Sequence, residues 1–476
     1  MSQVRTIFKN VSWVMISQVI ACAYGFIWTV LLARYLGVRD YGILGFATSL
    51  VGIILVTMDL GMNSYAVRHI ATDNSSAPKF LGNILPLKLL LSIGTFLLLY
   101  CILILMKCDE TTFIITLLFF IEGIFISLSN SLIGAFQAFE KVKYQGIESI
   151  LLNTILLILI LISIFLDLGL YGVVMSYILA NIIGFIYLSF ALAKHITTPK
   201  FELDKSFCKN LIYFGLPFAM TGILYSIYYS IDVVMLTQLV GNYATGIYNA
   251  TYKLIGVLTL FYTVYNAVIY PVMSKFFKNN KKLLVISYEK TIKYLMLIMI
   301  PISISTMFYS LDIIQLIYGH EYDAASTVLS ILIWTVCLLF VNGAGNTLLT
   351  ASHKEVTVTK IYSIAAIFNF ILNLLLIPYL SYIGAAITTL LSDMLIFIIQ
   401  KYVIHKIGQK PNTKLYLDLL KIIIGSIVLG IALYLLNLNM WVAIPVGITI
   451  YLISLYLLKV FDEDDRYIIK EILGND

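Results

Sequence analysis

About fourteen separate stretches of this 476-residue chain run apolar for 20 residues or more. Twenty helical residues at about 1.5 Å of rise each cover the ~30 Å hydrocarbon core of a bilayer, so every one of these stretches can cross it. Inside lipid each backbone N–H and C=O must be satisfied within the protein, and for single apolar runs of this length that means an α-helix. The expected spans are 11–33, 41–62, 81–106, 112–135, 146–167, 170–193, 211–238, 246–272, 289–308, 325–350, 357–377, 380–404, 418–436 and 440–459. Composition agrees, with 61% hydrophobic and 12% charged residues against about 25% charged in soluble domains. The predicted fold is an all-α polytopic membrane protein with about 14 transmembrane helices. It is placed in the cell membrane, which in a Gram-negative host is the inner membrane.

The basic residues orient the chain. With the N-terminus in the cytoplasm, groups such as Lys205/Lys209, Lys275/Lys278/Lys281/Lys282 and Lys401/Lys406/Lys410 fall inside, and the outside connections hold only Arg34, Arg39 and Lys107. Cytoplasmic loops are the ones enriched in Lys and Arg, so the expectation is N-in and C-in. The net charge of +6 is then a topology signal, and no nucleic-acid partner is implied. Arg5 and Lys9 precede an apolar run in which Val19-Ile20-Ala21-Cys22 looks like a lipoprotein cleavage box, but the run continues to Ala33. That is longer than a signal-peptide core and reads as an uncleaved helix. Five scattered cysteines suggest neither a disulfide framework nor a metal site.

A weak internal repeat organises the spans. Gly37 and Gly42 recur, with the same spacing of five, as Gly241 and Gly246, and the helices that follow begin Gly42-Ile43 and Gly246-Ile247. Leu170-Tyr171-Gly172-Val173 entering the sixth span resembles Tyr382-Ile383-Gly384-Ala385 entering the twelfth. Both offsets are a little over 200 residues, which predicts two parallel six-helix lobes, 1–200 and 201–410, then a terminal helix pair and cytoplasmic tail, 411–476. Chance likeness between apolar segments is the competing explanation.

Polarity at helical spacing marks faces that avoid lipid. In the eighth span Asn249, Lys253, Gly256, Thr259, Thr263, Asn266 and Tyr270 follow at intervals of three or four. The seventh carries Thr221, Tyr225, Tyr228 and Asp232, the second Gly45, Ser49, Gly52, Asp59 and Asn63, and the first Gln18, Ala21, Gly25 and Trp28. Tight packing through small and hydrogen-bonding residues explains a Gly/Ser stripe equally well. A charge at mid-bilayer costs at least about 2.5–3.5 kcal/mol, so Lys253 and Asp232 point more specifically to a cavity. Lys88 in the third span is a further intramembrane cation, and Glu122 and Asp393 are carboxylates near mid-span, each able to bind a coupling proton or sodium ion or to neutralise a neighbour. No cofactor is implied. Asp232 and Lys253 are expected at similar depth on adjacent helices, and so as an ion pair.

Several motifs resemble a known family. Leu31-Leu32-Ala33-Arg34-Tyr35-Leu36-Gly37-Val38-Arg39-Asp40-Tyr41-Gly42, followed by Asp59-Leu60-Gly61 and Arg68, is similar to the N-terminal signature of the polysaccharide-biosynthesis flippases. These are the Wzx-type branch of the multidrug/oligosaccharidyl-lipid/polysaccharide exporter superfamily. Asp232-Val233-Val234-Met235-Leu236, Gly246-Ile247-Tyr248, Tyr252-Lys253-Leu254 and the run Tyr318 to Ala325 resemble it too. The resemblance implies a transporter that carries a polyprenyl-pyrophosphate-linked oligosaccharide between leaflets by alternating access. It also implies a cavity whose cations, Lys253 and Arg34, attract the pyrophosphate, and partners among the membrane lipids, the polysaccharide polymerase and the glycosyltransferases of the same pathway. Arg34 also fits an anchor at the interface.

Two other readings stay open. A cation-coupled multidrug exporter of the same superfamily is opposed by a first span without acidic residues. A membrane glycan polymerase or glycosyltransferase is opposed by short loops with no Walker pattern, no Gly-rich phosphate loop and no His/Cys cluster, so the chain is not expected to be an enzyme. The topology is directly testable: reporters fused after Asp40, Asp109 and His320 are expected to be extracytoplasmic, and those after Lys79, Lys205, Lys281 and Lys410 cytoplasmic. A cytoplasmic reporter at His320 overturns the span assignment.

Overall fold

A computed structural model describes residues 3–461 and 465. Among these residues there are helices and no strands: α1 (Gln3–Asp59), α2 (Met62–Thr72), α3 (Ala77–Leu105), α4 (Glu110–Ala138), α5 (Lys143–Phe165), α6 (Gly169–His195), α7 (Lys205–Leu239), α8 (Asn242–Asn279), α9 (Lys281–Phe308), α10 (Ser310–Tyr318), α11 (Ala325–Ala351), α12 (Glu355–Lys406), α13 (Thr413–Leu436) and α14 (Met440–Leu457). Twelve helices are long and apolar enough to cross a membrane. Two of them hold two expected spans each.

α1 runs 57 residues through a break at Gly37, and α12 runs 52 through a break at Ser381. At Gly37 the backbone has φ 72° and ψ 175°, a conformation that glycine adopts without the penalty a Cβ would bring. Counted across these two breaks, the described helices contain the fourteen expected apolar spans, and the polytopic all-α fold stands. The connections expected at 63–80 and 309–324 fold in part into the short helices α2 and α10. The terminal pair is separated as expected, with Asn437 in the left-handed region closing α13 and the Asn439 side chain capping α14 through the Trp441 N–H.

The helices gather into two compact units, Met1–Lys253 with Phe370–Ala385, and Leu254–Asn369 with Ala386–Asp476. In the first unit α1 packs on α4, α5 and α7, and α6 packs on α4 and α5. In the second, α9 packs on α11 and α13, and α14 on α13. A buried charge cluster ties the second unit together: the Lys293 ammonium lies 2.8 Å from Asp418 and 2.6 Å from Asp465, and it donates to the Val460 carbonyl.

The repeated glycines meet each other. A Cβ on Gly42 would fall 1.9 Å from the Asn242 carbonyl oxygen, and one on Gly246 would fall 1.9 Å from the Val38 carbonyl oxygen. Here the backbones of α1 and α8 touch, an approach that only small residues permit. Gly42→Ala and Gly246→Ala are each expected to destabilise the protein by about 3 kcal/mol or more. Gly52→Ala, where an added methyl meets nothing within 4 Å, should stay within about 1 kcal/mol of the parent. Thermal unfolding in detergent separates the two outcomes.

Candidate functional site

A cavity of about 910 Å³ opens within the first unit between the second half of α1, α2, α4 and α7. Its polar wall comes from two sides. The end of α1 and the start of α2, joined by a turn at Leu60 and Gly61, present Thr48, Asp59, Asn63 and Ser64, and α4 presents Glu122, Ser127, Asn130 and Gln137. Gly123, Ser127, Asn130, Gly134 and Gln137 recur at intervals of three or four, so one face of α4 lines the cavity. α7 closes the space with Phe218, Ala219 and Gly222.

Behind this wall sits Lys88, which is fully buried. Its ammonium lies 2.7 Å from Asp59 Oδ1 and donates to the Ser127 carbonyl at 2.8 Å and to Asn63 Oδ1 at 3.1 Å. Two hydrogen bonds and an ion pair thus hold the ammonium. Asn63 Oδ1 also accepts from the Ser131 hydroxyl at 2.8 Å. Asp59, with 26% of its side chain exposed, is the member of the pair that reaches the cavity. Lys88, expected as a cavity cation, lies behind the wall with Asp59 as its counter-ion. Glu122 is buried, lines the cavity and accepts from Asn181 Nδ2 at 3.0 Å.

The other candidates fall elsewhere. Lys253 is exposed on α8 and makes no ion pair among the described residues. Asp232 is buried and accepts from the Tyr248 hydroxyl at 2.9 Å and from Asn373 Nδ2 at 2.5 Å, so the expected pair with Lys253 is replaced by two hydrogen bonds. The cause is the earlier start of α8. α8 begins at Asn242 and not at 246, so Tyr248, six residues in, reaches the depth of Asp232, seven residues before the end of α7, while Lys253 lies eleven residues in.

Asn249 is buried against Gly45 with its Nδ2 unpartnered. Asn266 Oδ1 accepts from the Thr347 hydroxyl at 2.6 Å, and the exposed Tyr225 ring packs 4.5 Å from that of Tyr229. Arg34 is exposed on α1 just before the break at Gly37. Asp393 is partly buried, and its backbone carbonyl accepts from Asn342. Asn130 and Gln137 were not among the expected site residues. Asn130 shares the helical spacing that marks the polar faces of the first, second, seventh and eighth spans, and Gln137 continues it two residues beyond the expected end of the fourth. Among the described residues no group of three or more His, Cys, Asp or Glu is placed to hold a metal ion.

The family model described as "Polysaccharide biosynthesis protein" matches residues 7–277, and the one described as "MatE" matches residues 217–375. Over its full length the chain is 26% identical to the uncharacterized membrane protein MJ1068 of Methanocaldococcus jannaschii, spanning 99% of that protein. It is 24% identical to the capsular polysaccharide biosynthesis protein CapF of Staphylococcus aureus, over 84% of this chain and 99% of CapF. Among solved structures, the lipid II flippase MurJ in an inward closed conformation superimposes with a TM-score of 0.78 at 18% identity, over 92% of this chain and 97% of that one. At that identity the likeness establishes the fold.

The Lys88 network predicts an asymmetric pair of variants. Lys88→Met leaves the Asp59 carboxylate without its counter-ion and is expected to cost about 3 kcal/mol, the low end for a broken buried pair because Asp59 is open to the cavity. Adding Asp59→Asn should recover most of the loss. Thermal unfolding in detergent measures both, and a double variant no more stable than the single would mean that the charge pairing is not what Lys88 contributes.

Proposed function

The chain belongs to the polysaccharide biosynthesis protein family of the multidrug/oligosaccharidyl-lipid/polysaccharide exporter superfamily, and from that membership we propose that it moves a polyprenyl-pyrophosphate-linked oligosaccharide, the repeat unit of a surface polysaccharide, from the inner to the outer leaflet by alternating access. At the level of the family this is a lipid-linked oligosaccharide flippase of the cell membrane. The observation that carries the reading is the family match over more than half the chain, joined to a cavity lined by amides, hydroxyls and carboxylates inside an otherwise apolar bundle.

With the N-terminus cytoplasmic, the Asp59 and Gln137 end of the cavity lies toward the cytoplasmic side, where a lipid-linked precursor would be made. Lys253 and Arg34, both exposed, are in this reading the cations that meet the pyrophosphate. A pyrophosphate in a low-dielectric setting needs such charges, and long basic side chains supply them. Glu122, buried and without an ion pair among the described residues, is the group assigned to take up a coupling proton or sodium ion. Glycosyltransferases and a polysaccharide polymerase of the same pathway are the expected partners before and after transport.

The MatE match over residues 217–375 favours a second reading, a cation-coupled drug exporter. One variant separates them. Lys253→Ala is expected to abolish surface-glycan export at normal protein levels, with lipid-linked precursor accumulating in the cytoplasmic leaflet, and Lys253→Arg to retain part of the export because the role is charge attraction. Normal glycan export by the alanine variant removes Lys253 from the site, and drug efflux without glycan export in the parent selects the exporter.

A further inference from the structure

We propose that the cavity bounded by α1, α2, α4 and α7 holds the glycan part of the cargo and selects uncharged sugars, hexoses and N-acetylhexosamines, over uronic acids and other anionic sugars. The proposal rests on the flippase reading and narrows its substrate class.

Size is the first support. About 910 Å³ lies near the upper end of small-molecule sites, which run to about 1,000 Å³, so several sugar rings fit. The chemistry of the wall is the second. Asp59, Asn63, Glu122, Ser127, Asn130 and Gln137 line the space, and their carboxylates, amides and hydroxyl pair with hydroxyls and acetamido groups, which both donate and accept. Phe218 is the one aromatic ring among the lining residues. A flat cationic drug would find little π surface there.

Two polar groups lack partners. The Ser127 hydroxyl is buried in the wall with no hydrogen bond, on a side chain only 5% exposed, and the Asn130 side chain has none among the described residues and is exposed. Native proteins rarely leave a buried hydroxyl unsatisfied, so such a group in a cavity wall points to a ligand or water that completes it.

Selection comes from charge. Among the described residues no Lys or Arg lines the cavity, and Lys88, behind its wall, is fully buried with its ammonium held by Asp59, Asn63 and the Ser127 carbonyl. Asp59 is neutralised by that lysine, and Glu122 contributes either a negative charge or none. An anionic sugar would lose its water without gaining a counter-charge, whereas a neutral one exchanges water for amide and carboxylate partners.

The test uses the full-length chain in lipid nanodiscs and two probes, farnesyl diphosphate carrying either a di-N-acetylglucosamine or an N-acetylglucosamine–glucuronic acid disaccharide. The neutral probe is expected to bind about tenfold or more tighter, a difference of ~1.4 kcal/mol. Asn130→Leu and Gln137→Leu should each weaken the neutral probe about fivefold or more, and Asn130→Lys should bring the glucuronate probe to parity or beyond. Unfolding temperatures equal to the parent's show that the variants are folded. Equal binding of both probes by the parent, or variants that bind as the parent does, overturns the glycan assignment while leaving the flippase reading in place. Binding of neither probe together with binding of ethidium overturns both.

Discussion

One ammonium joins four helices. Lys88 projects from α3 and is held by Asp59 at the end of α1, Asn63 in α2 and the Ser127 carbonyl in α4. A charge so placed makes separation of these helices costly, since each departing acceptor leaves part of a buried cation unmatched, at several kcal/mol for a broken pair. The polar wall of the cavity is therefore held as a single piece. Asp59 and Asn63 keep their places on its surface because the lysine behind them holds one oxygen of each. The same arrangement balances the Asp59 charge on the cavity surface against the lysine behind it.

The fold was largely legible because the bilayer reduces it to a one-dimensional signal. Apolar length gives the number of crossings, and Gly37 and Ser381 changed only whether two neighbouring crossings count as one helix. The site was less legible, for two physical reasons. A lysine in an apolar run announces that it needs partners without naming them, and Lys88 found its partners on three other helices, out of reach of any reading of its own segment. The ends of helices are also poorly marked in sequence. An error of four residues at the start of α8 put Lys253 at the expected depth of Asp232, where the structure has Tyr248, five residues earlier in the chain and on a different face of the helix.

The glycine repeat carried more than it first suggested. Gly42 and Gly246 hold like positions in two segments, and in the structure those segments lie against each other, each glycine under a carbonyl from the other's neighbourhood. Two segments that pack on one another through a glycine each need smallness at both places, which accounts for the shared glycine without any common ligand.

The buried cluster around Lys293 bears on how the chain is made. Asp465 lies 172 residues beyond Lys293, and Asp418 also follows it in sequence. A ribosome delivers α9 to the membrane well before either carboxylate exists, so for that interval the lysine has to remain at the water interface, where its long side chain can keep the ammonium hydrated. Only when residue 465 has emerged can the helix settle with its charge fully matched. Assembly of the second unit is thus timed from its far end, and α9 is threaded early but seated late.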